Sequence, residues 1–517
     1  MLGSEALIQS LVDSDVDVCF MNPGTSEMHF VNALDAVPQM RSVLCLFEGV
    51  ATGAADGYSR MAGKPAAVLL HLGPGLGNGL ANMHNAKRAK SPMVVIVGGH
   101  ATYHNRYDAP LQSDIEGIAR TMSEWVHTSG HQRDIGRDAA RAVQVARSTP
   151  GKVVTLVLPA DVSWSEGGVV GVRREPAPVL NVDKAVIEAA AATLQAGEKT
   201  VLLIGGAAMR ERGMLAAKRI AQATGATVLA TGSNRSERGA GLPVFSRVAY
   251  LGEQAVAQMA GTQNLILAGA KSPVTFFAYP GVLSDVAPAD CAVSLLADDE
   301  QDIEAALEAL ADHVAAGVTA EVTAPGLPPT PSGPLDPRNM ADAIAVTLPE
   351  NAIVVEEAVT SGAFLGPALA GAPRHDVLPV MGGAIGGGMP TAVGAAVAAP
   401  DRPVLSLQAD GSAMYTIQSL WTQAREQLNI TTVLMNNGSY AILRNELTRV
   451  GAGYNPGPRA LDMLDISRPL LNFAEIATGM GVPGVRVTTA EELVEALTNA
   501  HAEPGPHLIE AILPSPE

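Results

Sequence analysis

The sequence predicts an α/β fold of three domains, each a mostly parallel sheet flanked by helices. The first observation behind it is alternation. Short apolar runs of strand length recur along the chain, each followed by a longer stretch of helical periodicity. The second is size. The chain has 517 residues, 47% hydrophobic and 17% charged, enough to fill several cores. The third is punctuation. Residues 319–337 are rich in Pro, Gly and Thr and read as a linker between domains.

The first domain, residues 1–175, opens with an amphipathic helix carrying Ala6, Leu7, Leu11 and Val12. A strand at 16–21 leads into the turn Asn22-Pro23-Gly24, and further strands fall at 66–71, 93–98 and 153–158. The central domain, 180–320, has strands at 200–204, 227–230 and 265–268. The third domain, 338–517, has strands at 352–356, 403–407, 431–435 and 507–512, with a helix expected over 413–427. The outer two domains look like similar units flanking the central one.

Composition narrows the partners. With 34 basic and 52 acidic residues the net charge is −18, which repels polyanions, and aromatic content is 4%, too low for a base-stacking surface. Nucleic acid is therefore not an expected partner. The longest apolar runs, such as 392–399, are too short to span a bilayer, and no basic stretch followed by an apolar run opens the chain. Cys19, Cys45 and Cys291 form no CxxC pair. A cytoplasmic protein with reduced thiols acting on a small molecule is the expectation.

The segment 404–440 carries the most specific chemistry. An apolar strand ends in Gln408-Ala409-Asp410-Gly411-Ser412, and a helix and second strand end in Asn436-Asn437-Gly438-Ser439-Tyr440. A right-handed crossover puts both strand ends on one edge of the sheet, where ligands of open α/β sheets bind. Asp410 and Asn437 then offer hard oxygens suited to Mg²⁺ bridging phosphate oxygens. Gly411 admits a close backbone, and the N–H groups opening the next helix face an anion. Either turn alone is ordinary; the pair at this spacing is specific.

This segment closely resembles the thiamine-diphosphate motif of the acetolactate synthase and benzoylformate decarboxylase superfamily, with Ala409 in place of the first glycine of its GDG element. The resemblance implies Mg²⁺ ligation by Asp410, Asn437 and the Ser439 carbonyl, and diphosphate contacts from Gly411, Ser412 and Tyr440. Glu48, followed by Ala55-Asp56-Gly57-Tyr58, resembles the glutamate that activates the cofactor by bonding its aminopyrimidine. On position alone Glu48 reads equally as a helix-start charge. The glycine-rich stretch from Gly382 to Pro390 implies an aminopyrimidine contact from the Gly383 carbonyl and a cofactor-bending wedge at Ile385. Residues 356–362 match a loop over the diphosphate, with Thr360 and Ser361 as contacts. In this family Glu48 and Asp410 meet across subunits, which implies a homodimer or homotetramer with the cofactor at the interface.

The resemblance also sketches the substrate pocket. Thr25, in Asn22-Pro23-Gly24-Thr25-Ser26-Glu27, stands where relatives bind a substrate carboxylate, and His71 matches a pocket histidine. His100 and His104 read as surface or structural groups. Phe276 or Phe277 stands where benzoylformate decarboxylases carry a second histidine. An apolar ring cannot shuttle a proton, so release of an aldehyde is disfavoured and carboligation of 2-oxo acids is the leading expectation. The alternatives are a benzoylformate-type decarboxylase, an aldehyde lyase, and a cofactor-binding subunit without catalysis. FAD remains possible, but the central domain shows no clear signature for it. A dinucleotide oxidoreductase is weakened because no G-x-G-x-x-G opens a helix after the first strand of any domain.

Overall fold

The computed structural model describes residues 1–452 and 455–515, which build three sheets covered by helices. The first has six parallel strands, in the order Arg41–Leu44, Val18–Asn22, Ala66–Leu70, Met93–Gly99, Val153–Pro159, Trp125–Thr128. The second has five parallel strands, ordered Ser246–Arg247, Thr227–Ala230, Thr200–Ile204, Asn264–Ala268, Ala292–Ala297. The third has seven, ordered Gly484–Val487, His507–Ile512, Ile430–Asn436, Val404–Ala409, Ile353–Glu357, His375–Pro379, Ser236–Arg238.

Numbered within each unit, the six parallel strands of the first and third sheets share one order, 2-1-3-4-6-5. The reversal of winding falls between strands one and three of each unit. That is where an open α/β sheet leaves a crevice at its carboxyl edge. In the first sheet the residues after Asn22 and Leu70 flank it; in the third, those after Glu357 and Ala409 do.

The two outer units touch through the helices Glu48–Ala62 and Gly388–Ala398. Both are built of small residues so that their backbones approach. A Cβ on Gly57 would collide with the Thr391 carbonyl, and one on Gly394 with the Ala54 carbonyl. A continuous core runs through this contact, joining Val50, Ala54 and Tyr58 to Val393, Ala396 and Ile353.

The structure departs from expectation in three places. The helix expected over 413–427 is two short ones, Asp410–Ala413 and Ser419–Arg425. Between them the Thr416 hydroxyl donates to the Gly386 carbonyl at 2.7 Å, tying the chain to the glycine-rich loop. Ser236–Arg238, from the central segment, pairs antiparallel with His375–Pro379 and so belongs to the third sheet. Edge strands such as Arg41–Leu44 and Gly484–Val487 also join, though their half-exposed pattern gave no apolar run. Among the described residues no helix is long and apolar enough to cross a membrane.

Candidate active site

The Asp410 turn is built around one carboxylate. Val404–Ala409 ends with Ala409 in ordinary extended backbone (φ −79°, ψ 149°), so its methyl group strains nothing and the irregular alanine is compatible with the turn. Asp410, buried, accepts from Gly411 N–H at 2.7 Å, Asn437 N–H at 3.0 Å and Gly438 N–H at 2.8 Å. These bonds lock the two strand ends together. Burial pushes the Asp410 carboxyl up from the ordinary range, against the pull of those donors. A carboxylate offers about four lone-pair positions, and three are filled here, leaving room for a cation. Asn437 and Ser439 share the same edge, Asn437 accepting from Ser439 N–H at 3.0 Å. The donor set, one carboxylate plus neutral oxygens, fits a hard divalent cation that keeps phosphate ligands.

Gly411 and Tyr440 explain each other. A Cβ at Gly411 would stand 2.5 Å from Tyr440 Cε1, so the ring lies directly on the turn. Ser412 accepts from Gln408 Nε2 at 2.6 Å, and Gln408 Nε2 also donates to Glu357 at 3.0 Å. Glu357 accepts from Gly386 N–H and Gly388 N–H at 2.7 Å each. This buried carboxylate therefore braces the glycine-rich loop against the Asp410 turn. Burial pushes it up in pKa despite these donors.

Just beyond Glu357 the turn Val359–Gly362 carries Thr360 and Ser361. Val359 adopts φ +51°, an outlier for a β-branched residue, and such strain persists only where the surroundings impose it. The loop bearing Gly383 (φ +76°) is held from the first unit. Asn85 Nδ2 donates to the Ala384 carbonyl at 2.8 Å, and a His84 ring nitrogen lies 3.1 Å from the Gly382 carbonyl. Ile385 is 37% exposed beside it, open to a ligand.

On the first sheet, Glu48 opens its helix half-buried and accepts from Asn78 at 3.0 Å. Thr25 is exposed in the turn after Asn22. His71 caps the helix Leu72–Ala89, with its Nδ1 2.7 Å from Glu27 Oε2. Glu27 is 0% exposed, and Gly24 N–H also donates to it at 2.7 Å. Burial pushes Glu27 up in pKa, with Gly24 and His71 pulling back. Bonding at Nδ1 leaves the other nitrogen of this partly exposed ring available. Sequence reading assigned Glu27 no role; its signal was the Gly24-to-Glu27 spacing that closes the turn.

His100 and His104 are closer to this group than expected. Their rings stand 5.4 Å apart, and His100 is held low by burial and by the fields of His104 and His71. Loops after adjacent strands bring these histidines to one edge. From the central segment, Phe276 places Cζ 3.4 Å from where a Cβ of Gly383 would stand. Tyr250 and Phe277 pack on it with ring centroids 5.4 and 4.9 Å away. An aromatic wall therefore stands over the glycine-rich loop. At the central sheet's carboxyl edge, Gly205 and Gly269 touch each other, a Cβ on Gly205 lying 2.7 Å from the Gly269 carbonyl, so their small size is accounted for without a dinucleotide.

Comparison with known proteins gives the family. Residues 1–121 match the thiamine pyrophosphate enzyme N-terminal TPP binding domain, and 368–511 match the C-terminal TPP binding domain. A Mycobacterium tuberculosis protein described as "Putative acetolactate synthase large subunit IlvX" is 59% identical over 100% of this chain and 99% of its own. Benzoylformate decarboxylase of Pseudomonas aeruginosa is 30% identical over 95% of each chain. A solved structure, the thiamine diphosphate-dependent 4-hydroxybenzoylformate decarboxylase of Rhodococcus jostii, superposes with a TM-score of 0.85 at 25% identity, covering 100% of both chains. The chain belongs to the thiamine-diphosphate enzymes of the acetolactate synthase and benzoylformate decarboxylase family, which act on 2-oxo acids.

Proposed function

We propose that this enzyme is a carboligase: it removes carbon dioxide from a 2-oxo acid and joins the acyl carbon to a second carbonyl compound. The observation that carries this reading is Phe276 against Gly383, an apolar ring where a decarboxylase of the family would offer a second proton donor. Full-length similarity to a protein described as an acetolactate synthase large subunit supports it. Thiamine diphosphate, when bound, supplies the electron sink for the carbon that loses its carboxylate.

The chain's own groups have distinct tasks in this reading. Asp410, Asn437 and the Ser439 carbonyl would hold Mg²⁺. Gly411, Ser412, Tyr440, Thr360 and Ser361 would hold the diphosphate. The Gly383 carbonyl and Ile385 would seat and bend the cofactor, and Glu48 would exchange a proton with its aminopyrimidine. Thr25 binds the substrate carboxylate, and His71, oriented by Glu27, moves a proton at the reacting oxygen. Tyr250, Phe276 and Phe277 exclude water and lengthen the interval in which a second carbonyl can enter. The working unit is a homodimer or homotetramer with the cofactor between subunits. Three unbridged cysteines favour a cytoplasmic setting.

A second reading is decarboxylation of an aryl 2-oxo acid to an aldehyde. The His71–Glu27 pair favours it, since one proton donor is present. Product analysis separates the two. The holoenzyme, incubated with pyruvate and separately with benzoylformate, is expected to yield a ligated hydroxy-oxo product, and Phe276→His is expected to divert flux to free aldehyde. Aldehyde as the sole product of the unmodified enzyme would establish the second reading. Retained cofactor binding without turnover on any 2-oxo acid would instead identify a non-catalytic subunit.

A further inference from the structure

A separate cavity of about 520 Å³ lies between the central segment and the helix-covered face of the third sheet. Its volume falls in the range of small-molecule sites. Phe245, Leu365 and Leu407 contribute apolar walls, and Arg238, Arg247 and Glu356 are the charged groups lining it. Among the described residues neither arginine lies within ion-pair distance of a carboxylate, and Arg238 Nε is buried without a hydrogen-bond partner. An arginine left in this state is unusual in a chain of net charge −18, because desolvating a cation without a directly paired anion is costly. Burial first, and the neighbouring Arg247 second, lower the Arg238 pKa, and the field of Glu356 offsets them only in part.

The lining sums to two positive charges and one negative. We propose that this cavity binds a monocarboxylate with an apolar body, its carboxylate held by Arg238 and Arg247 and its hydrocarbon by Phe245, Leu365 and Leu407. A guanidinium matches a carboxylate in bidentate geometry, and two of them facing apolar walls select an amphipathic monoanion over a small polyanion. The site is distinct from the candidate active site. Glu356 and Glu357 are neighbours whose side chains leave opposite faces of one strand, Glu357 toward the glycine-rich loop and Glu356 into this cavity. Gly362, at the end of the turn carrying Thr360 and Ser361, forms part of the wall, so an occupant would touch that turn from behind.

Calorimetric titration of the holoenzyme with 4-methylpentanoate, which has no oxo group to react, tests the proposal. Saturable binding is expected, weakened about tenfold or more in Arg238→Met and in Arg247→Met, and unchanged in His71→Ala. Arg247 is exposed, so its replacement tests the site without risk to folding. Inorganic phosphate is expected to bind more weakly than 4-methylpentanoate. Absence of binding, binding indifferent to both arginine variants, loss of binding in His71→Ala, or tighter binding of phosphate would each overturn the proposal.

Discussion

Glu27 and His71 show how one buried carboxylate can set the behaviour of a partly open imidazole. Glu27 has no solvent contact and uses one oxygen for both Gly24 N–H and His71, which fixes the ring without exposing the acid. If His71 moves a substrate proton, His71→Ala is expected to lower kcat about 10²–10⁴-fold, and Glu27→Gln to lower it less while shifting the pH profile. Stability gives a second readout. Burial raises the folded-state pKa of Glu27, so its contribution is present below the ordinary carboxylate range and is lost as pH rises through the raised value. Unfolding midpoints measured from pH 4.5 to 8 should therefore fall more steeply in the wild type than in Glu27→Gln; equal slopes would contradict the assignment. This partnership was illegible in the sequence because Glu27 and His71 lie 44 positions apart. Asp410 and Asn437 were legible because each closes an apolar strand in a recognisable turn. Ala409 stands where the resemblance has glycine, and the ordinary extended backbone there requires none.

Two elements carry the site, and both depend on atoms that sequence pattern hides. The strands bearing Glu357 and Ala409 were visible as apolar runs. The brace between them was not, since it passes through a buried acid and an amide. Glu357→Gln places an N–H group among donors from Gly386, Gly388 and Gln408. A loss of about 1–3 kcal/mol is expected in denaturant unfolding, with weaker cofactor retention; unchanged stability would mean the loop is held elsewhere. The helix crossing is the second element. Its small residues read from sequence only as tight packing, without a partner. Gly394→Ala drives a methyl group into the Ala54 carbonyl, where neither backbone can yield cheaply. A destabilisation of about 3 kcal/mol is expected, near the upper end for overpacking, whereas the nearby Val397→Ala should cost a comparable amount through a cavity without spreading the helices. Edge strands were the least legible elements. Ser236–Arg238 joins a sheet distant in sequence, and nothing in three polar residues announces that.

At the scale of the whole molecule the chain is two copies of one α/β topology with a third unit between them, and the candidate cofactor groups are divided between the copies. Glu48 stands on the first and Asp410 on the third. If the working site pairs the first unit of one subunit with the third unit of its partner, two different inactive variants can complement each other. Glu48→Gln and Asp410→Ala should each be inactive as pure proteins. Co-expressed, they form mixed dimers in which one site carries both lesions and the other carries neither. Random pairing makes half of the dimers mixed, each with one intact site, so activity should recover to about a quarter of the wild type. A site contained within one chain allows no such recovery, because every chain carries a lesion. Combining Glu48→Gln with Glu48→Ala gives the control, since no mixture of those two contains an intact site on either model. Recovery in the first mixture and none in the control would place the cofactor between subunits. No recovery in either, with mixed dimers demonstrated by differential tags, would place it within a single chain.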